Sequence, residues 1–168
     1  MYHRLTGLFI AKAIAKQIAD KWDGYFPGEP APALYRTPPQ QGQNFPYFVL
    51  NTVQCVSIQT HNKYYTYDSV YQLVFLVHPT DTKRADILNS VALELLEMLK
   101  LLQAPYSYTE IDGNIVTDAT KLVRCDNPTY KIEENAALVE LRYKVNVSLE
   151  DVVLPPMNEI ENNMNLKE

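Results

Sequence analysis

Apolar residues recur at helical spacing in two stretches of the chain. The first stretch covers residues 6–22, and its apolar stripe comprises Leu8, Ala11, Ala15, Ile18, Ala19 and Trp22. The second covers residues 81–102 and begins at a cap supplied by Thr80 or Asp81. Its core stripe comprises Ile87, Leu88, Val91, Leu95, Met98, Leu99 and Leu102. The spacing therefore predicts two amphipathic helices.

Three further leucines widen the apolar stripe of the second predicted helix. They are Leu93, Leu96 and Leu101, and one sheet does not need so broad an apolar surface. Either the helix is deeply buried, or part of this surface contacts another chain. Leu93 is therefore a candidate interface residue.

Between the two helices the pattern is typical of strands. Residues 45–59 and residues 64–77 are rich in Tyr and Val, and a polar turn at residues 60–63 separates them. The second strand has an apolar residue on nearly every position of both faces. We therefore expect it to be a central strand that is covered on both sides.

The C-terminal half predicts further strands. Residues 106–111, followed by Asp112 and Gly113, indicate a hairpin, because Asp-Gly suits a tight two-residue turn. Residues 138–147 alternate between apolar and polar positions. Their core-facing set is Val139, Leu141, Tyr143, Val145 and Val147, and their outward set is Glu140, Arg142, Lys144 and Asn146.

The order of these elements predicts an α+β fold, in which a mainly antiparallel sheet carries two long helices on one face. We expect a single domain over residues 1–154 and a polar tail over residues 155–168. A proline-rich stretch at residues 24–44 is longer than a packing connection needs, so it is either functional or disordered.

Composition narrows the possible functions. The net charge is −5 and the basic residues are scattered, which disfavours tight binding to nucleic acid. No apolar run approaches the roughly 20 residues of a membrane-spanning helix. The first residues lack the layout of a signal peptide, so we expect a cytoplasmic protein without a membrane partner.

The chain shows no residue grouping that is typical of catalysis or metal binding. His3, His61 and His78 have no ligand spacing, and no phosphate-binding glycine loop is present. Cys55 and Cys125 fit two small buried side chains in a reducing compartment, although a disulfide between them stays possible. We expect no enzymatic activity, no cofactor and no metal, while an active site assembled from distant residues stays an open alternative.

Two groups of residues are candidates for contacts with other chains. Tyr64, Tyr65 and Tyr67 cluster at the tip of the predicted strand pair, where tyrosine suits either an interface or an ordinary strand surface. In the tail, Met157, Ile160 and Met164 would share one face of a helix. They are expected to dock on a neighbouring chain, or alternatively to fold back on their own domain.

The chain resembles a known family over residues 5–149. Residues 5–15 read Leu-Thr-Gly-Leu-Phe-Ile-Ala-Lys-Ala-Ile-Ala, and residues 46–50 read Pro-Tyr-Phe-Val-Leu before the long Val/Tyr strand pair. Together with the leucine-rich helix, the hairpin and the alternating last strand, these features are similar to the tail terminator (tail completion) proteins of tailed bacteriophages and phage-tail-like particles. The start of the chain resembles the versions from phages and prophages of Gram-positive bacteria.

The resemblance implies a structural virion protein. Such proteins form a ring, usually a hexamer, that caps the tail tube, stops its polymerisation and joins the tail to the head connector or neck protein. Six chains of charge −5 would carry −30 together, so that DNA passes through the pore without specific binding. A head-completion or neck protein of the same particle is an alternative. A small enzyme or ligand-binding domain with a pocket between helices and sheet is another.

Overall fold

A computed structural model describes residues 7–40, 42–61, 64–109 and 115–148. The chain contains two helices, α1 (Gly7–Tyr25) and α2 (Arg84–Met98). Its strands, in chain order, are β1 (Ala33–Tyr35), β2 (Tyr47–His61), β3 (Tyr64–Leu76), β4 (Leu101–Thr109), β5 (Ile115–Arg124), β6 (Thr129–Glu133) and β7 (Ala136–Ser148).

The strands form two sheets. The larger one has the order β1-β2-β3-β7-β6, and β4 and β5 form a separate antiparallel pair. All neighbours in the larger sheet are antiparallel except β1, which lies parallel to β2. The predicted α+β fold with a mainly antiparallel sheet is confirmed. The edge strand β1 was not predicted, because it lies in the proline-rich stretch and has only three residues.

One face of the larger sheet carries the core. Phe48 on β2 lies opposite Phe75 on β3, and Leu73 on β3 pairs with both Leu50 and Val139. Both helices contribute to the same core, so they pack on this face of the sheet. Their fully buried side chains include Ile10, Ile14, Ile18 and Trp22 from α1, and Leu88, Val91, Leu95 and Met98 from α2.

The position of β3 is only partly as expected. It is central, between β2 and β7, but the described residues cover its second face only in part: Val70, Val74 and Leu76 are half-buried. Both helices pack on the opposite face, where Tyr71 and its alternate neighbours are buried. Among the described residues, the apolar pattern on both faces of this strand therefore corresponds to one buried and one half-buried face.

The buried stripe of α1 is rotated from the predicted one. Ile10 and Ile14 are buried, whereas Ala15 is half-buried and Ala19 is exposed. Alanine carries little apolar area, so the larger isoleucines decide which side of the helix faces the core. Ile18 and Trp22 are buried as predicted.

Helix α2 is shorter than predicted at both ends. Asp81 Oδ1 accepts a hydrogen bond from the backbone N–H of Lys83, and Thr80 Oγ1 lies 2.6 Å from His78 Nδ1. Both side chains are thus used in a local turn, and neither caps the helix.

The end of α2 is set by a side chain from α1. Gln17 Nε2 donates hydrogen bonds to the carbonyl oxygens of Met98 and Leu101, at 2.7 and 2.6 Å. A helix leaves its last carbonyls without internal partners, and Gln17 supplies one to Met98. Leu101 and Leu102 belong to β4, so their assignment to the second helix was wrong.

The later strands agree with their patterns. In β7, Val139, Leu141, Tyr143 and Val145 are buried, while the residues that alternate with them are exposed, namely Glu140, Arg142 and Lys144. The predicted hairpin is formed by β4 and β5, and its Asp112-Gly113 turn lies outside the described residues. The predicted tail over residues 155–168 lies outside them as well.

Both cysteines are free thiols, but only one is buried. Cys125 is buried and forms an isolated backbone bridge to Tyr143. Cys55 is exposed on β2, where its Sγ lies 3.6 Å from Ser69 Oγ. The expectation of two buried cysteines was therefore wrong for Cys55, because β2 continues beyond the region that the helices cover.

Candidate interaction surfaces

The larger sheet extends into a three-stranded arm, formed by residues 54–61 of β2, 64–70 of β3 and 144–148 of β7. Strand β1 pairs only with residues 47–49 of β2. On the other side, β7 pairs with β6 as far as Glu140 and with Cys125 at Tyr143. Among the described residues, both outer edges of the arm therefore lack a strand partner.

The arm carries the predicted tyrosines. Tyr64 pairs with Ser148 at its end, and Tyr65 pairs with Val147. Tyr67 is half-buried and lies between Ser57 and Val145 in the sheet. The side chains of Tyr64 and Tyr65 lie outside the described residues, so their role as interface residues stays a prediction.

A further exposed apolar residue lies where the arm begins. Val53 is 60% exposed, at a register shift between Thr52 and Gln54. The local sequence carries one signal for this position, an apolar residue between two polar ones in a predicted strand. That signal does not predict the bulge, because a bulge depends on the pairing with β3.

An ion pair crosses the second face of the arm. Arg142 Nε donates a hydrogen bond to Asp68 Oδ1 at 2.9 Å, and a second guanidinium nitrogen contacts Oδ2. This hydrogen bond and the charges of Arg142 and Lys144 lower the pKa of Asp68 against an opposing effect of burial. The two strands β3 and β7 are thereby joined by a two-point contact between their side chains.

We expect Asp68→Asn to destabilise the protein by about 0.5–1 kcal/mol at neutral pH, since Arg142 is nearly half-exposed and water screens the pair. A lowered pKa in the folded state stabilises the protein above the unfolded carboxyl pKa of about 4. That stabilisation is lost as the pH falls through the folded pKa. Urea unfolding of the unchanged protein and of Asp68→Asn between pH 7 and pH 2 measures this effect. The difference between their free energies of unfolding should shrink as the pH falls, and a constant difference would contradict the assignment.

The predicted interface residue Leu93 is 55% exposed, so deep burial of the whole helix is ruled out. It lines a groove of about 600 Å³ between the C-terminal half of α2 and the segment that joins β5 to β6. The groove also contains Leu96, Lys100, Arg124 and Pro128. Met157, Ile160 and Met164 lie outside the described residues, so no contact between them and this groove is described.

A second groove was not anticipated from the sequence. It has a volume of about 550 Å³ and lies between the end of α1, the proline-rich stretch and the start of α2. We call it the aromatic groove. Its apolar lining includes Trp22, Phe26, Pro30, Pro32, Phe45, Pro46, Val77, Ile87 and Val91, and its charged lining comprises Glu29, Asp81, Lys83 and Asp86.

Aromatic rings hold the wall of this groove in place. The ring centroids of Trp22 and Phe26 are 4.3 Å apart, and Trp22 meets Phe48 edge-on at 5.8 Å. On the other side, the ring of Phe45 lies 5.3 Å from that of His78. The indole N–H of Trp22 is buried and has no hydrogen-bond acceptor in the part of the chain that the structure describes.

The groups with the most strongly shifted pKa values are buried and structural. Burial raises the pKa of Tyr71 to about 12 and raises that of Tyr143 as well. Tyr143 donates its hydroxyl hydrogen to the carbonyl oxygen of Leu99 at 2.8 Å. Burial also raises the pKa of Cys125, which disfavours the thiolate that a reactive cysteine needs.

Among residues 7–40, 42–61, 64–109 and 115–148, no group of three or more His, Cys, Asp or Glu side chains is placed to hold a metal ion. In the same residues, no helix combines the length and the apolar character that crossing a membrane requires. The described side chains thus offer grooves and exposed apolar residues as candidate sites.

No protein-family model matches the chain, and no curated protein matches it. One similar solved structure carries only a sequence identifier as its name, without a functional description. It is 16% identical, covers 90% of this chain and 99% of its own, and superposes with a TM-score of 0.41. Similarity of this extent does not assign a family or a function.

Proposed function

We propose that this chain is a structural virion protein that forms a ring, usually hexameric, at the end of a phage tail tube. In this role it stops tube polymerisation, joins the tail to the head connector or neck protein, and lets DNA pass through without specific binding. The protein acts by contact alone, with no catalysis and no cofactor. It assembles in the bacterial cytoplasm and ends in the tail or neck of the virion.

The observation that carries this proposal is the arm with two unpaired edges. An unpaired strand edge presents a row of backbone N–H and C=O groups to another chain. Strands β2 and β7 both run antiparallel to β3, so they run in the same direction as each other. Placing the β7 edge of one subunit beside the β2 edge of the next is a head-to-tail contact, and such contacts form a ring when the rotation between neighbouring subunits closes.

Exposed apolar side chains add support from other parts of the surface. Leu93 on α2 and Val53 beside the arm are 55% and 60% exposed. Leu93 shares its groove with Leu96, and contiguous apolar surface on a folded domain marks contacts between proteins. The net charge of −5 per chain suits a pore that repels the DNA backbone.

The aromatic groove favours a second candidate, a small ligand-binding domain. Its volume lies within the range of small-molecule sites, and its walls are apolar with a few charged groups at the rim. A head-completion or neck protein is a third possibility within the same particle. The position of the protein in the assembled particle separates these three functions.

We expect electron microscopy to show closed rings of this protein at the head-proximal end of tail tubes. Val53→Lys places a charge beside the arm edge and should weaken ring formation, because charged side chains protect strand edges from pairing. Leu122→Lys is the matched control, since Leu122 is 62% exposed on β5, which is not a strand of the arm. Tyr67→Ala should also weaken association, because we predict that Tyr67 lies in the contact between subunits.

Three results would contradict the proposed ring at the tail end. A protein that stays monomeric in the assembled particle is not a ring-forming terminator. Rings found at the head side of a tail-less particle would identify a neck or head-completion protein. If Val53→Lys and Tyr67→Ala assemble as well as Leu122→Lys does, the arm is not the contact between subunits.

A further inference from the structure

The aromatic groove has the chemistry of a site for a cationic, partly apolar segment. Glu29, Asp81 and Asp86 place three carboxylates on its rim, against the single ammonium group of Lys83. In the part of the chain that the structure describes, none of these carboxylates forms an ion pair. The rings of Trp22, Phe26 and Phe45 provide an apolar wall that also attracts cations.

This chain contains such a segment before α1. Residues 1–6 read Met-Tyr-His-Arg-Leu-Thr and combine the guanidinium of Arg4 with the apolar bodies of Tyr2 and Leu5. The segment carries no acidic residue. The C-terminal residues 149–168 are a poorer match, because acidic residues outnumber basic ones there by five to one.

Helix length prevents the segment from reaching the groove of its own chain. Trp22 is the first groove residue along α1, fifteen residues after Gly7. That separation corresponds to about 22 Å along a helix. Fully extended, the backbone of residues 2–6 spans at most about 18 Å, and Arg4 lies only about 10 Å of backbone from Gly7.

We propose that the aromatic groove binds residues 1–6 of a second copy of this chain, with Arg4 at the carboxylate rim and Tyr2 or Leu5 against the aromatic wall. The inference rests on the proposed function, because it needs subunits side by side. It adds a contact separate from the arm, by which each subunit would hold its neighbour.

The single tryptophan makes occupancy of the groove directly measurable. Trp22 is the only tryptophan in the chain and lines the groove, so its fluorescence and its indole N–H resonance report on binding. The probe is the peptide of residues 1–8, blocked at both ends, which contains no tryptophan. It is titrated into the full chain at a concentration that keeps the chains apart. We expect a saturable change in both signals, weakened by salt.

Matched variants test the chemistry of recognition. The peptide with Arg4→Glu should bind at least about 10-fold more weakly, and the protein with Glu29→Gln and Asp86→Asn about 5-fold more weakly. Glu97→Gln is the control. Glu97 is an exposed carboxylate on α2, like Asp86, but it lies outside the aromatic groove. A scrambled peptide of the same composition should bind more weakly than the native order.

Several results would overturn the proposal. No change in the Trp22 signals at millimolar peptide excludes binding, and equal binding of the Arg4→Glu peptide excludes the role of charge. Equal binding of the scrambled peptide shows a groove for cationic peptides in general. Rings that form equally well from the full chain with Arg4→Glu would overturn the contact while leaving the ring itself. Peptide binding without rings in the particle would instead overturn the proposed function.

Discussion

Phe48→Ala is expected to lower the free energy of unfolding by about 3–5 kcal/mol. Phe48 is fully buried on β2, with its ring 4.9 Å from that of Phe75 and 5.8 Å from that of Trp22. Truncation removes apolar contacts from both neighbours and leaves a cavity between α1 and the sheet. Such a loss is a large fraction of the roughly 5–15 kcal/mol that stabilises a typical domain.

Urea unfolding followed by circular dichroism measures this effect without depending on Trp22, whose fluorescence Phe48 itself influences. Leu122→Ala is the control, since Leu122 is 62% exposed and its truncation should change stability by no more than about 0.5 kcal/mol. If Phe48→Ala costs as little as Leu122→Ala does, the core between α1 and the sheet is not packed as described.

Strong destabilisation at alkaline pH is the second large effect. Burial raises the pKa of Tyr71 from about 10 to about 12 in the folded chain. A raised folded pKa means that the stabilisation is complete below pH 10 and is lost as the pH rises towards 12. Over these two units, Tyr71 alone should reduce the free energy of unfolding by about 2–3 kcal/mol. Tyr143, whose pKa is raised in the same direction, adds to the loss.

Urea unfolding between pH 8 and pH 12 measures this slope. Tyr71→Phe should flatten it, because phenylalanine has no proton to release in the unfolded chain. Tyr143→Phe should also flatten the slope, but it lowers stability at neutral pH by about 1–3 kcal/mol, since the Leu99 carbonyl loses its donor. An unchanged slope in both variants would show that neither phenol stays protonated in the folded protein above pH 10.

Local periodicity was enough to predict several elements. The alternation in β7 predicted its buried and exposed residues at every position whose side chain is described, because one covered face imposes a period of two. The helical spacing of apolar residues predicted α1, although not which side of it is buried, and the Asp112-Gly113 pair predicted the hairpin of β4 and β5. These features depend on near neighbours in the sequence, so tertiary contacts did not change them.

Other predictions failed where a distant contact competed with the local pattern. Helix α2 ends at Met98, where Gln17 binds the Met98 carbonyl oxygen, and the chain then enters β4. Its leucine spacing would have allowed the helix to continue to Leu102. Cys55 is exposed because β2 extends past the helices, which no property of its immediate neighbours indicates.

The candidate surfaces also combine features that the local sequence predicts with features that depend on tertiary contacts. The sequence by itself determined the α+β class, the tyrosines of β3 and the apolar excess that singled out Leu93, because these follow from residue type and period. Only the tertiary structure decided that Leu93 is exposed, that both edges of the arm are unpaired among the described residues, and that Trp22 and Phe45 line one groove. Each of these three features depends on which distant segments of the chain contact one another. Hydrophobic burial is non-directional, so the apolar pattern of a single segment does not specify its partner segment.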